Sequence, residues 1–257
     1  MKLKSLKVFA ILLAFGLGLQ SCKKEENVNT TASYPDLTGC KVTRFYDAEN
    51  ETKITYNANG TIAKVEEFSL GSLSDTKNYT YQANKVNYEA AGGREKGEYT
   101  LDANGRAISS SIIYYNAQDP TVATSGVMST YKYNSAGNLI EKQEEYNSQA
   151  GKTSYLTTYL WSDGNISTEI EVGSNNTTYT TNYEYYTDKS NSLAGTDAAM
   201  DFTGVQSKNL IKAHKNGKDG STIVSFTYDF NSSGKPTKII FDEDGTKGEI
   251  NLEMTCP

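Results

Sequence analysis

Tyr131-Lys132-Tyr133-Asn134-Ser135-Ala136-Gly137-Asn138-Leu139 carries the plan of the whole chain. Tyr131 and Tyr133, two residues apart, share one face of a strand, and Lys132 takes the other. Asn134 has the side chain that opens a type I turn, and Gly137 suits the left-handed position that follows. Leu139, two residues past the glycine, returns to the apolar face. The segment therefore encodes a β-hairpin with one apolar and one polar side.

The same grammar recurs on both sides of it. Upstream stand Ile54-Thr55-Tyr56-Asn57-Ala58-Asn59-Gly60-Thr61-Ile62 and Tyr99-Thr100-Leu101-Asp102-Ala103-Asn104-Gly105-Arg106-Ala107. Downstream stand Tyr159-Leu160-Trp161-Ser162-Asp163-Gly164-Asn165-Ile166, shorter in its turn, and Tyr228-Asp229-Phe230-Asn231-Ser232-Ser233-Gly234-Lys235-Pro236. Tyr79-Thr80-Tyr81-Gln82-Ala83-Asn84 is a degenerate copy without its glycine, and Asp242-Glu243-Asp244-Gly245 is a further turn of this kind. The glycines are unevenly spaced, which disfavours a strict solenoid and suits an antiparallel meander of hairpins of differing length. The stretch Asp188–Gly204 is the segment that the repeat does not explain; a turn of helix at Asp197–Phe202 fits its sequence. A loop of such length in a hairpin protein is often functional or disordered.

Leu101-Asp102-Ala103-Asn104-Gly105-Arg106 resembles the YD repeats of RHS-type bacterial surface proteins. The wider layout, tyrosine-rich hairpins closed by Asn209-Leu210-Ile211-Lys212 and Phe226-Thr227-Tyr228-Asp229-Phe230, is similar to a Bacteroides-type lipoprotein family. That family is a domain of unknown function with a porin-like fold. The resemblance covers about residues 37–257 and implies a fold but no activity. The missing glycine at Asn84 and the stretch Asp188–Gly204 depart from the pattern.

The N-terminus reads as an address. Lys2, Lys4 and Lys7 precede an apolar run from Val8 to Leu19, too short to span about 30 Å of hydrocarbon as a helix and suited to a signal peptide over residues 1–21. Leu19-Gln20-Ser21-Cys22 resembles a lipobox, with lipid on Cys22; an ordinary secretory signal beside an incidental cysteine is the alternative. Residues 22–36 form a polar, flexible tether. Its Lys23-Lys24-Glu25-Glu26 start resembles an acidic surface-export signal and equally fits a plain linker. The expected location is the outer membrane, at the cell surface or on the periplasmic face. Residues 37–257 then form a single repeat-built domain. Cys40 and Cys256 remain as an even pair in an oxidising compartment, which points to a disulfide, with two buried thiols as the alternative. Such a bridge requires the first and last strands to be neighbours.

Charge and composition narrow the function. The 257 residues carry a formal charge of −6, which becomes −9 once the three lysines of residues 1–21 are removed. An acidic chain lacks the basic patch that nucleic acid needs. One histidine and three cysteines leave little material for a metal cage, and His214 reads as an ordinary surface residue. No cofactor is expected. Asp242–Gly245 imitates part of a calcium loop in the wrong register. Glu66-Glu67 and Glu144-Glu145 read as solvated charge, although adjacent strand residues face opposite ways. A membrane-embedded barrel would need apolar bands where Lys132, Glu141, Glu145, Glu184 and Asp229 stand.

The 19 tyrosines are the remaining signal. Tyr56, Tyr133, Trp161 and Phe230 occupy equivalent repeat positions and read mainly as core. Tyr114-Tyr115 and Tyr185-Tyr186 are adjacent pairs that face both sides of a strand, so they and Trp161 are the candidate binding residues. The resulting reading is an all-β, soluble, antiparallel hairpin meander forming a strongly curved sheet or a closed porin-like barrel. It is anchored to the membrane through lipid and acts as a non-catalytic binding or scaffold module for glycan or protein. The alternative is a hydrolase with carboxylates from separate strands converging about 5–10 Å apart in a cleft.

Overall fold

The computed structural model describes residues 41–116, 118–191, 193, 202–203 and 207–255. Within them sixteen strands run in chain order: β1 (Lys41–Tyr46), β2 (Asn50–Tyr56), β3 (Ile62–Ser69), β4 (Ser72–Gln82), β5 (Lys85–Ala90), β6 (Glu95–Leu101), β7 (Ala107–Tyr115) and β8 (Ala123–Tyr133). They continue as β9 (Leu139–Ser148), β10 (Gly151–Ser162), β11 (Asn165–Gly173), β12 (Thr178–Ser190), β13 (Asn209–Asn216), β14 (Thr222–Phe230), β15 (Pro236–Glu243) and β16 (Thr246–Thr255). Each strand pairs antiparallel with the next, and β1 pairs with β16, so the meander closes into a barrel. Closure removes the sheet edges that an open meander would expose to other chains.

The repeats form the hairpin turns at one end. Gly60, Gly105, Gly137 and Gly234 all have positive φ, the left-handed geometry that favours glycine. In each turn the residue three before the glycine accepts its amide through the backbone, as Asn134 does from Gly137 at 3.0 Å. The Asn134 side-chain oxygen also accepts from the amides of Ala136 and Asn138, at 3.0 Å each. Asp102 and Asn231 hold their turns in the same way. In the shorter hairpin both Asp163 and Gly164 are left-handed, which makes a type I′ turn. The degenerate copy still turns, at Ala83-Asn84 between paired Gln82 and Lys85.

Alternation divides each strand between lumen and solvent. Val42, Ile54, Ile62, Val86, Tyr99, Leu101, Leu139, Ile166, Leu210, Phe226, Ile239 and Ile250 belong to one buried cluster lining the interior. The outer wall carries ion pairs such as Lys132–Glu141 at 2.6 Å and Lys238–Glu249 at 3.0 Å. No helix among the described residues is long and apolar enough to cross a membrane.

A barrel of this strand number is too wide for wall side chains alone to fill. Described residues of the β12–β13 connection add to the filling at the turn end. Leu193, Phe202, Thr203 and Ser207 are buried. The Phe202 carbonyl accepts from the Ala107 amide at 2.7 Å, and its ring meets Tyr99 edge-on at 4.5 Å. Ala107 and Tyr99 belong to β7 and β6, well round the wall from β12, so Phe202 packs inside the lumen against the far wall. Residues 188–190 belong to β12 rather than to an irregular stretch, because the ladder to β13 resumes at Ser190. Most of the one-turn helix expected over 197–202 lies outside the described residues, as do Cys22, Cys40 and Cys256 and the whole of residues 1–36.

The reading of His214 as a surface residue is corrected. It is buried on β13, 4.8 Å from the Tyr183 ring and 5.0 Å from Phe226. Its neighbours in sequence, Lys212 and Lys215, suggested solvent, but Lys215 takes the opposite face by alternation and Lys212 is the extra residue of a register shift, so His214 turns inward. Burial pushes its imidazole down to about 4.

Candidate functional site

At the end of the barrel away from Phe202, the inner wall changes from apolar to polar. Antiparallel partners share a face, so pairing with a buried residue identifies an inward side chain. Lys77 pairs with Val65, Glu67 with Thr52, Lys142 with Tyr131, Glu144 with Ser129, Glu169 with Tyr159 and Glu171 with Thr157. Asp75 joins Glu67, and Glu95 joins Tyr114, by the same ladders. Tyr146 pairs with Val127 and Tyr179 with Glu171. These residues sit toward the ends of β3, β7, β9 and β11 and the beginnings of β4, β6 and β12, and together they form a mouth of tyrosines and carboxylates.

One side of the mouth centres on Glu95. The Tyr88 hydroxyl donates to Glu95 Oε1 at 2.5 Å, and Lys77 Nζ lies 3.3 Å from the same oxygen. Burial acts to lower Lys77, but Glu95 and Glu67 outweigh it, so its ammonium is held above the usual lysine range. Burial raises Glu67 and Tyr114. On the other side Lys142 lies 2.8 Å from Glu144, and Tyr146 meets Tyr155 edge-on at 5.6 Å. Tyr183 donates to Glu169 Oε2 at 2.8 Å. Burial raises Glu169 against that hydrogen bond, and burial together with the Glu144 carboxylate raises Glu171. Tyr179, at 62% exposure, and Tyr146, at 39%, show that solvent reaches this wall.

Rings on the wall lie over cross-strand glycines. A Cβ on Gly97 would fall 2.0 Å from the Tyr88 ring, and one on Gly248 would fall 2.1 Å from Phe241. Tyr155 covers Gly173 in the same manner, at ordinary contact distance. Glycine at these three places lets the aromatic ring lie along the wall instead of projecting across the lumen.

The tyrosines and tryptophan of the sequence reading fall in different places. Trp161 donates its indole N–H to the Leu139 carbonyl at 2.7 Å and packs on the core. Tyr56 and Tyr133 do the same to Val42 and Ala107 at 2.7 Å each, and Tyr228 to Ile211 at 2.9 Å. Tyr185 donates to Ile166 at 2.8 Å and Tyr186 to Phe226 at 2.9 Å, with register shifts flanking Tyr185. Tyr115 lies beneath Lys96 on the outer wall, 5.9 Å from it. Of these candidates, Tyr114 is the one the fold brings to the mouth.

The carboxylate doublets divide as alternation requires. Glu66 and Glu145 face out and pair with Lys64 at 2.9 Å and Lys152 at 2.8 Å. The solvated-surface reading is corrected for Glu67 and Glu144, which face the lumen. Sequence reasoning also passed over Glu95, Glu169, Glu171, Tyr146, Tyr155 and Tyr179. Parity counted back from Tyr99 and Tyr159 on their own strands reaches Glu95 and Tyr155, whereas on the return strands a register shift beside the turn flips the count and hides Glu169, Glu171 and Tyr146. No group of histidine, cysteine and acidic side chains suited to a metal ion occurs among the described residues.

The teneurin YD-shell family model matches residues 23–160, more than half of the chain. Among solved structures, a porin-like protein from Bacteroides uniformis ATCC 8492 superposes with a TM-score of 0.60 at 13% identity. That match covers 87% of this chain and 100% of the other. A porin-like protein from Bacteroides vulgatus ATCC 8482 gives 0.57 at 13% identity, over 83% of this chain and 98% of that one. At such identity the likeness is one of fold alone, and it bears out the porin-like, YD-type architecture. No curated protein matches the chain by sequence.

Proposed function

The chain belongs to the teneurin YD-shell family, and from that premise we propose that it is a non-catalytic binding module which takes a glycan or protein ligand at the mouth of its barrel. Lipid on Cys22 anchors it to the outer membrane, residues 1–21 are removed as a signal peptide, and residues 22–36 tether a soluble domain at 37–257. The observation that carries the reading is the mouth itself. Tyr114, Tyr146 and Tyr179 offer partly exposed rings beside inward carboxylates, whereas Tyr56, Tyr133, Trp161 and Tyr228 of the repeats are tied to backbone carbonyls. Such rings supply large contact area at small entropic cost. The charged outer wall supports a domain that stands in water instead of lipid.

A second reading has one observation in its favour. Glu144 and Glu171 lie on the inner wall on either side of β10, offset by two residues along it, and burial with the Glu144 carboxylate raises Glu171. Two neighbouring carboxyls from separate strands, one of them raised, would suit a carboxylate-dependent hydrolase. Lys142, 2.8 Å from Glu144, supplies the basic partner that a water-activating pair lacks, which favours binding.

The test is site-specific photo-crosslinking in intact cells. A photoreactive side chain at Tyr179 should yield discrete adducts that the same group at outward Leu160 does not. Identical adduct patterns at both positions, or none at Tyr179, would sink the mouth as a binding site.

A further inference from the structure

The outer wall over β4–β7 holds a groove of about 720 Å³, within the roughly 300–1,000 Å³ range of small-ligand sites. Its side chains form two cross-strand rows. Thr80, Asn87, Glu98 and Ser111 make one, and Asn78, Glu89, Lys96 and Ile113 make the other. They alternate with the inward Tyr79, Tyr88 and Gly97, whose positions fix these rows as outward.

Charge within the groove is already matched. Lys96 lies 3.1 Å from Glu89, and Lys85 lies 2.7 Å from Glu98. An ionic ligand would have to break one of these pairs. The amides of Asn78 and Asn87 and the hydroxyls of Thr80 and Ser111 differ, because among the described residues they have no hydrogen-bond partner. Each amide offers a donor and an acceptor side by side, and each hydroxyl offers both functions. Ile113 adds an apolar patch. An added peptide strand is disfavoured, since β4–β7 are paired on both sides and present no edge.

We propose that this groove binds one neutral, hydroxyl-rich unit of a glycan. Asn78 and Asn87 hydrogen-bond ring hydroxyls, Thr80 and Ser111 complete the set, and Ile113 meets the C–H face. The site lies on the outer wall, separate from the mouth, and does not depend on it.

The experiment is a printed array of neutral and acidic oligosaccharides probed with the full chain in detergent. The wild type should retain neutral glycans, and Asn78→Ala/Asn87→Ala should weaken retention about tenfold or more. Ser111→Trp, which fills the groove, should do the same, while Tyr146→Ala/Tyr179→Ala at the mouth should leave it unchanged. Near-ultraviolet circular dichroism checks that each variant is folded, and the paired alanine variant carries the test if the tryptophan variant misfolds. Capture of acidic glycans alone, no capture, or indifference to the groove substitutions overturns the proposal. Binding that follows the mouth substitutions overturns it too, while leaving the mouth reading intact.

Discussion

Single side chains in this barrel act by reaching across to the preceding strand. The second aromatic of a repeat puts its polar tip on a backbone carbonyl, as Tyr133 does on Ala107 and Trp161 on Leu139. An apolar body in the core with a satisfied polar tip suits a half-buried wall position. Trp161→Phe keeps most of the apolar surface and removes the donor, so it should cost about 1–3 kcal/mol. Leu160→Ala, exposed on the outer wall, should change stability by under about 1 kcal/mol. Urea unfolding of the two variants checks the contrast. His214 works in the opposite sense, as a buried base pushed from 6.5 down to about 4. The folded state then binds fewer protons than the unfolded chain, so its contribution is full above pH 6.5. It is lost as pH falls from 6.5 toward 4, by up to about 3 kcal/mol. Glu67, Glu169 and Glu171, raised by burial, act conversely and penalise the fold as pH rises from 4.5. His214→Phe isolates the histidine: its unfolding free energy should gain on that of the wild type as pH drops from 7 to 4. A constant difference across that range would show that His214 does not titrate this way. The repeat aromatics were legible as core from spacing alone. The burial of His214 was not, since a lone histidine among lysines gives no periodic signal.

At the scale of strands and hairpins, the turn chemistry and the wall glycines do different things. Asn134, Asp102 and Asn231 with their glycines define the hairpins, and this was readable because a turn is built from neighbours in sequence. Gly97 and Gly248 have no such local reason. Each is a place where a ring from the preceding strand lies against the backbone, and register alone shows which ring it is. Gly97→Ala forces its Cβ into Tyr88 and should cost about 1–3 kcal/mol. In the background of Tyr88→Ala the same substitution should be nearly neutral, because the clash has gone. A double-mutant cycle by chemical unfolding measures that coupling, and additive effects would refute the ring-over-glycine account. The mouth was half legible on the same grounds. Glu-Glu doublets on a strand must split between faces, but parity alone does not say which member enters the lumen.

For the whole molecule, closure depends on β1 meeting β16. Lys41 pairs with Thr255, and Val42 with Met254, across more than two hundred residues of chain. Cys40 and Cys256 lie outside the described residues, and the bridge proposed between them is favoured by the pairing of their sequence neighbours at this seam. If it forms, tryptic mapping without reductant should yield the two cysteine peptides joined. Reduction should then lower stability by about 2–5 kcal/mol, since the link closes nearly the whole domain. Separate peptides under oxidising conditions would refute the bridge. The all-β class, the repeat hairpins, the core face of the repeat aromatics and the YD-type likeness were legible in the residues alone. All of these follow from alternation and turn chemistry within about ten residues. Whether the meander stays open or closes, that Phe202 packs across the lumen at one end, and which acids and tyrosines meet at the other appear only in the folded chain. Strand number, register and curvature arise from contacts between residues far apart in the chain, and no local pattern encodes those distances.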